Sequence, residues 1–220
     1  HFQRAMTLFE QSRYQMAEEE LRQSLAVDPD DALSHAYLGL CLAKREAFAE
    51  ATQEAEHAVH LAPDAPGTHY VLAVIYEDRR RLDQALAAIE EAIRLDPSEA
   101  TFFGVLAGIR MQQRRWDNAL RAAEQGLQLD PENVRCANLR AMALVKLGHT
   151  QKATDTIDQA LHKNPENALT HANLGWTLLE QGESVKAMEH FREALRLDPQ
   201  LEWARLGILE ALKSKNILYR

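Results

Sequence analysis

Nine histidines, two cysteines and 33 aspartates and glutamates are the side chains of this 220-residue sequence best equipped for chemistry. His57 and His60 stand three residues apart, which would set two imidazoles on one helix face, yet no third ligand accompanies them. Adventitious nickel or zinc binding is the most such a pair offers. His35, His69 and His171 occupy one recurring position, so they read as packing residues opposite the next helix and not as metal ligands. Cys41 and Cys136 form neither a CxxC pair nor a disulfide framework; they read as small core residues, which fits a reducing compartment. Nucleophile elbows, phosphate loops, zinc-protease helices and nucleotide-binding glycine patterns are missing from the sequence. The carboxylates are expected on loops and helix surfaces, where nothing would desolvate a pair for acid–base work. The reading is no enzyme, with no cofactor, no metal and no small-molecule substrate.

What remains is recognition. Arg110, Arg114, Arg115, Arg135 and Arg140 gather in the region where Gly104 and Gly108 strip side chains from one helix face. Each glycine costs about 1 kcal/mol of helix propensity. One reading is a site where a partner approaches closely and presents an acidic or phosphorylated group. The other is a solvated edge whose arginines pair with neighbouring carboxylates.

Composition bounds the partner. Apolar residues make up 46% and charged residues 26%, as in a chain that buries a core. A net charge of −8 argues against a general nucleic-acid binder. No apolar run approaches the roughly 20 residues of a membrane span. The chain starts at His1 and reads as helix from its first residues, so it is read as a fragment, with cytoplasmic location expected.

The elements that position these residues are written in a repeat. Pro29, Pro63, Pro97, Pro131, Pro165 and Pro199 follow one another at intervals of 34 residues; only Pro66 departs. Ala17, Ala51, Ala85, Ala119, Ala153 and Ala187 keep the same period. A tiny residue recurs at Ala5, Gly39, Ala73, Ala107, Ala141 and Gly175, and larger apolar ones at Leu38, Leu72, Leu106 and Leu174. Within each period the apolar residues recur at three and four, the spacing of two short helices. A tiny residue at a crossing lets two backbones approach while large neighbours interdigitate. Each proline lacks an N–H and pushes its predecessor out of the α region, so the second helix must end there. Asp28, Asp96, Asp130, Asn164 and Asp198, which precede prolines, are expected to cap the following helix. Gly148 and Gly182 mark the turn inside two hairpins; polar residues do so in the others.

A 34-residue period with this small, small, proline signature resembles the tetratricopeptide repeat family, over nearly the whole chain. Arg4 and Arg140 depart from it in a column where leucine is usual, and Arg110 in another. The resemblance implies an all-α fold: a right-handed superhelical α-solenoid of antiparallel helix hairpins with a concave groove. Units are expected at 1–31, 32–65, 66–99, 100–133, 134–167 and 168–201, followed by a capping helix and tail over 202–220. One hairpin cannot bury its apolar face alone, so stacking stabilises the array.

In the family the first helix of each hairpin lines the groove. That implies partner-binding positions at Tyr37 and Leu40, at Tyr70 and Val74, and at Gly104, Gly108 and Met111. The later units contribute Arg135, Asn138 and Met142, then Asn173, Trp176 and Trp203. One subgroup of the family, the co-chaperones, clamps an acidic chaperone tail with two lysines, an arginine and two asparagines. Only Asn173 matches that pattern here, so the reading is rejected. The expected function is a scaffold that holds a peptide or helix of a partner protein. Alternatives are a self-assembling homo-oligomer and the recruiting arm of a larger protein. The apolar ending Leu201–Arg220, with Lys213, Lys215 and Arg220, points that larger protein toward a membrane anchor or a further domain, hence an alternative membrane-associated location.

Overall fold

The computed structural model describes residues 1–217, apart from the side chains of Thr150, Glu202 and residues 215–217. Leu218, Tyr219 and Arg220, on which part of the anchor reading rests, lie outside the described residues. Thirteen helices and no strand occur among the described residues. They pair as α1 (Phe2–Glu10) with α2 (Tyr14–Val27), α3 (Ala32–Lys44) with α4 (Phe48–Leu61), and α5 (Pro66–Asp78) with α6 (Leu82–Leu95). Then come α7 (Ala100–Gln112) and α8 (Trp116–Leu129), α9 (Val134–Lys146) and α10 (Thr150–Lys163), α11 (Ala168–Glu180) and α12 (Ser184–Leu197). A last helix, α13 (Glu202–Ile217), closes the series. From α3 to α12, helices of 13 and 14 residues alternate, with three residues turning each hairpin and four joining it to the next, which generates the period.

The turn inside every hairpin is the same object. Ser12, Glu46, Arg80, Arg114, Gly148 and Gly182 all take a left-handed backbone, with φ between +56° and +82°. The N–H of the next residue reaches back five positions, as in Arg13 to Leu8 O, Ala47 to Leu42 O and Glu183 to Leu178 O, each at 2.9 Å. This is the Schellman closure that satisfies the last carbonyls of a helix. Glycine adopts it freely; the serine, glutamate and two arginines adopt it against their side chains.

The aspartates before the prolines do not cap the following helices. Asp96, Asp130 and Asp198 accept from the N–H two residues on, at 3.0, 2.9 and 2.9 Å, and so hold the loop. The caps sit later. Asp31 receives Leu33 N–H and Ser34 N–H, Asn133 receives Cys136 N–H, and Asn167 receives Thr170 N–H. The loop needs its own bond before a helix can start, and the proline sets the order.

The chain divides into two compact units, residues 1–109 and residues from Arg110 on. In the first, α3 packs on α2, α4 and α5, and a core of Ala5, Leu21, Leu38, Ile75 and Ile89 runs on to Phe102, Val105 and Ile109 of α7. A methyl at Gly39 would stand 3.0 Å from the carbonyl of Ala51, so this tiny residue admits a neighbouring backbone. In the second unit, α11 packs on α9, α10, α12 and α13 around Phe191, the largest fully buried side chain. Its ring fills the space left by two glycines: methyls at Gly175 and Gly207 would approach it to 2.6 and 2.2 Å.

The recurring histidines are pins. His35, His69 and His171 each set Nε2 on the carbonyl of the proline six residues back, at 2.9, 2.7 and 2.9 Å. The other ring nitrogen of His35 meets Glu54 at 2.6 Å, whereas that of His171 meets His190 Nδ1 at 3.1 Å. His57 packs edge-on against His35 with 4.5 Å between ring centres.

Candidate partner-binding site

The expected groove side chains fall into two groups. In the first unit Tyr37, Leu40, Tyr70 and Val74 are half-buried and lie against the core. Tyr37 sits edge-on to Phe2 and Phe9 at 5.9 and 5.8 Å, and Tyr70 lies 5.4 Å from Phe102, so these rings fill one another's contact surface. Gly104 and Gly108 are buried. Met111 is half-buried in the second unit.

The second unit brings the remaining positions together. Arg135, Asn138, Leu139 and Met142 of α9, Leu169 and Asn173 of α11, and Trp203 of α13 line one cavity of about 420 Å³. Contacts of α9 with α11, and of α11 with α13, hold its walls. Trp176 stands behind it. Its indole stacks on Trp203 with centres 4.7 Å apart, meets Phe191 edge-on at 5.6 Å and donates to the Trp203 carbonyl at 3.2 Å. Trp203 Nε1 donates in turn to Asn173 Oδ1 at 2.9 Å. Sequence reasoning missed Leu169, although it shares a repeat column with Arg135 and Trp203.

The walls are apolar and the polar groups few. Asn138 and Asn173 are buried at 2% and 1% exposure. Neither amide atom of Asn138 has a hydrogen-bond partner, nor does Nδ2 of Asn173. Burial pushes the Cys136 thiol up to about 11, as burial and the charge of Glu18 push Cys41 up to about 12. Both thiols are therefore protonated and unreactive at neutral pH.

A second cavity of about 530 Å³ opens among α8, α9 and α10, lined by Val134, Ala137, Arg140, Thr156 and Lys163 among others. It exists because Ala137 stands where the other hairpins carry His35, His69, Phe103 and His171. Lacking a ring there, Pro131 receives Lys163 Nζ on its carbonyl at 3.4 Å. Arg140 donates to Thr156 Oγ1 at 3.0 Å and pairs with Glu124 at 3.6 Å.

The carboxylates are not all superficial. Glu18 and Glu20 are buried, at 3% and 9% exposure, but each has partners: Glu18 pairs with Arg22 and Arg45, and Glu20 with Arg4 and, by a hydrogen bond, with the His1 ring. Such pairing makes them structural. Among the described residues no three histidine, cysteine, aspartate or glutamate side chains converge as a metal site.

The model of the tetratricopeptide repeat matches residues 2–66, 70–134 and 138–202. The chain belongs to the tetratricopeptide repeat family. No curated protein matches it in sequence. Among solved tetratricopeptide structures, that of TTC0263 from Thermus thermophilus is similar at 20% identity and a TM-score of 0.74, over 82% of this chain and 98% of that one. Cut9–Hcn1, an APC/C hetero-tetramer, gives a TM-score of 0.80 at 15% identity over 94% of this chain and 41% of that one. YrrB, described as a tetratricopeptide protein with an unusual peptide-binding site, gives 0.57 at 18% identity over 86% and 98%. Likeness at such identities establishes the α-solenoid fold and nothing about clients.

Proposed function

We propose that this chain is a protein-interaction scaffold and not an enzyme, and that it captures a segment of a partner protein on the face built by α9, α11 and α13. The observation that carries this reading is the apolar-walled cavity of about 420 Å³ with its two buried asparagines. An exposed apolar wall marks an interaction site more often than bare surface. Burying its apolar wall at about 25 cal/mol per Å² is worth a few kcal/mol before association costs, which suits weak, transient capture. The peptide-binding site of YrrB supports the same class of ligand. The test is selection of random twelve-residue peptides displayed on phage against the full chain, followed by fluorescence anisotropy of a selected peptide. Met142→Glu is expected to weaken binding at least tenfold with helical circular dichroism unchanged. No selected binder, or equal binding by Met142→Glu, overturns the reading.

A second reading is favoured by α13. Leu206, Leu209 and Leu212, three residues apart on α13, remain 47%, 55% and 44% exposed, an apolar row that a second copy would bury. Self-association through this face follows, and light scattering across a concentration series decides it: a monodisperse monomer at high concentration removes it. No helix among the described residues is long and apolar enough to cross a membrane.

A further inference from the structure

The cavity among α8, α9 and α10 shares no lining residue with the one that α9 builds with α11 and α13. Other hairpins show what side chains occupy the equivalent space. In the first, Glu20 takes Arg4 Nη1 on one carboxylate oxygen at 3.2 Å and the ring of His1 on the other at 2.7 Å. In the second, Glu54 meets the ring of His35 at 2.6 Å. Thr156 stands in the column of Glu20 and Glu54, Ala137 in that of His1 and His35, and Arg140 in that of Arg4. The fifth hairpin therefore keeps the arginine and lacks both the carboxylate and the ring that accompany it in the first. The arginine is left short of partners. Its Nη1 donates to Thr156 Oγ1 at 3.0 Å, but Nε is buried without a hydrogen-bond partner. Glu124 stops 3.6 Å from Nε, outside hydrogen-bond reach. A buried donor without an acceptor destabilises the fold that carries it, so it calls for an explanation.

We propose that this cavity binds a small organic acid built on a planar ring. With Nη1 of Arg140 engaged, Nε and Nη2 form the edge that takes two carboxylate oxygens side by side. The acid's carboxylate sits on that edge, as Glu20 serves Arg4, and its ring enters the space that Ala137 leaves against Leu127, Val134 and Ala160. Lys163 supplies a second cation. Its Nζ rests loosely, 3.4 Å from the Pro131 carbonyl and 3.8 Å from Glu132, and is free to turn to the bound anion. Glu124 and Glu132 oppose the two cations, but both are exposed and screened by water, whereas the buried Nε is screened much less. The cavity of about 530 Å³ has the size of a small-molecule pocket and admits one or two fused rings. An inorganic anion would meet the arginine but leave the apolar wall bare, and a neutral ring would leave Nε without its acceptor.

The test is a titration of the full chain with phenylacetate and with naphthylacetate, followed by amide NMR spectra. At least one acid is expected to give saturable shifts centred on α9 and α10, with a Kd of about 1 mM or tighter. The neutral amides of the same acids, and acetate and inorganic phosphate, are expected to bind at least tenfold more weakly. Two variants copy neighbouring hairpins and so suit the frame. Arg140→Leu places there the residue found at Leu38, Leu72, Leu106 and Leu174, and Ala137→His the one found at His35, His69 and His171. Each is expected to lower the acid's affinity at least tenfold with helical circular dichroism unchanged. Ala137→His is also expected to raise the Tm, because its ring fills the space and takes the Pro131 carbonyl. The inference is overturned by no saturable shift from either acid, by equal binding of the neutral amides or of phosphate, or by shifts centred on α11 and α13. Undiminished affinity in either variant overturns it as well, and so does a lower Tm for Ala137→His. The comparison of acid with amide is made on the unaltered protein, so it decides the matter even if a variant fails to fold.

Discussion

Replacing Gly207 by alanine asks whether the ring of Phe191 lies where the structure puts it. The new methyl would stand 2.2 Å from one ring carbon and 2.3 Å from the next. Carbon atoms in ordinary contact are about 3.5–4.0 Å apart, so the ring must retreat by roughly 1.3 Å. It has nowhere to go. A methyl built on Gly175 would be 2.6 Å from the same ring, which measures how closely that helix lies on its other side, and the edge of Trp176 adjoins it at 5.6 Å. Overpacking costs about 1–3 kcal/mol, and a ring confined on both sides puts Gly207→Ala near the upper end, about 3 kcal/mol. Phe191→Ile places at this position the residue found at Ile89 and Ile157 and costs about 1–2 kcal/mol for lost burial and the void left behind. Independent changes would sum to about 4–5 kcal/mol. The structure instead requires the double variant to be no worse than Phe191→Ile alone, because the alanine methyl enters the vacated space, a coupling of about 3 kcal/mol. Urea unfolding of the full chain by circular dichroism, with Trp176 and Trp203 fluorescence reporting on the second unit, measures all four corners of the cycle. A loss below about 0.5 kcal/mol for Gly207→Ala, or additivity within about 0.5 kcal/mol, refutes the packing argument.

Two other outcomes follow from local geometry. Arg80→Gly relieves a left-handed backbone at φ +56° and is expected to stabilise the chain by about 0.5–1 kcal/mol in thermal melts, whereas Gly148→Ala, at φ +82°, loses a similar amount; a destabilised Arg80→Gly contradicts the turn geometry. His190 is held below its ordinary value of 6.5 by burial first and by the nearby His171 second. The unfolded chain therefore binds the proton more readily, so this residue's contribution is intact above pH 6.5 and is lost as pH falls through the depressed folded value. His190→Glu, which copies the His35–Glu54 pair, is expected to remove that acid loss; denaturant midpoints between pH 7.5 and 5 that fall equally in both proteins reject the assignment.

The period was legible because prolines and tiny residues act locally: one ends a helix and the other admits a backbone, whatever surrounds them. The turn was legible only at Gly148 and Gly182, where the residue type advertises its conformation. Ser12, Glu46, Arg80 and Arg114 share that backbone under compulsion from the helices on either side, which no single-residue preference shows. The buried Glu18 was illegible for a related reason: Arg45, which helps hold it, comes from the next hairpin, 27 residues on. On the candidate site, Asn138, Met142, Asn173 and Trp203 could be placed on the first-helix face by register alone. The burial of Gly104 and Gly108 could not, because a register position fixes a direction and not what covers it.

Three departures fall within four residues of α9. Ala137 gives up the ring that elsewhere pins a proline carbonyl, Asn138 puts an unpaired amide in an apolar column, and Arg140 takes a place that leucine holds in other hairpins. One opens the cavity shared with α10; another lines the cavity shared with α11 and α13. In a solenoid each hairpin is held mainly by its neighbours, so one repeat can give up packing while the columns on either side keep it in place. A site can then be built without disturbing the frame, by making one helix of the array the one that fits its neighbours least completely.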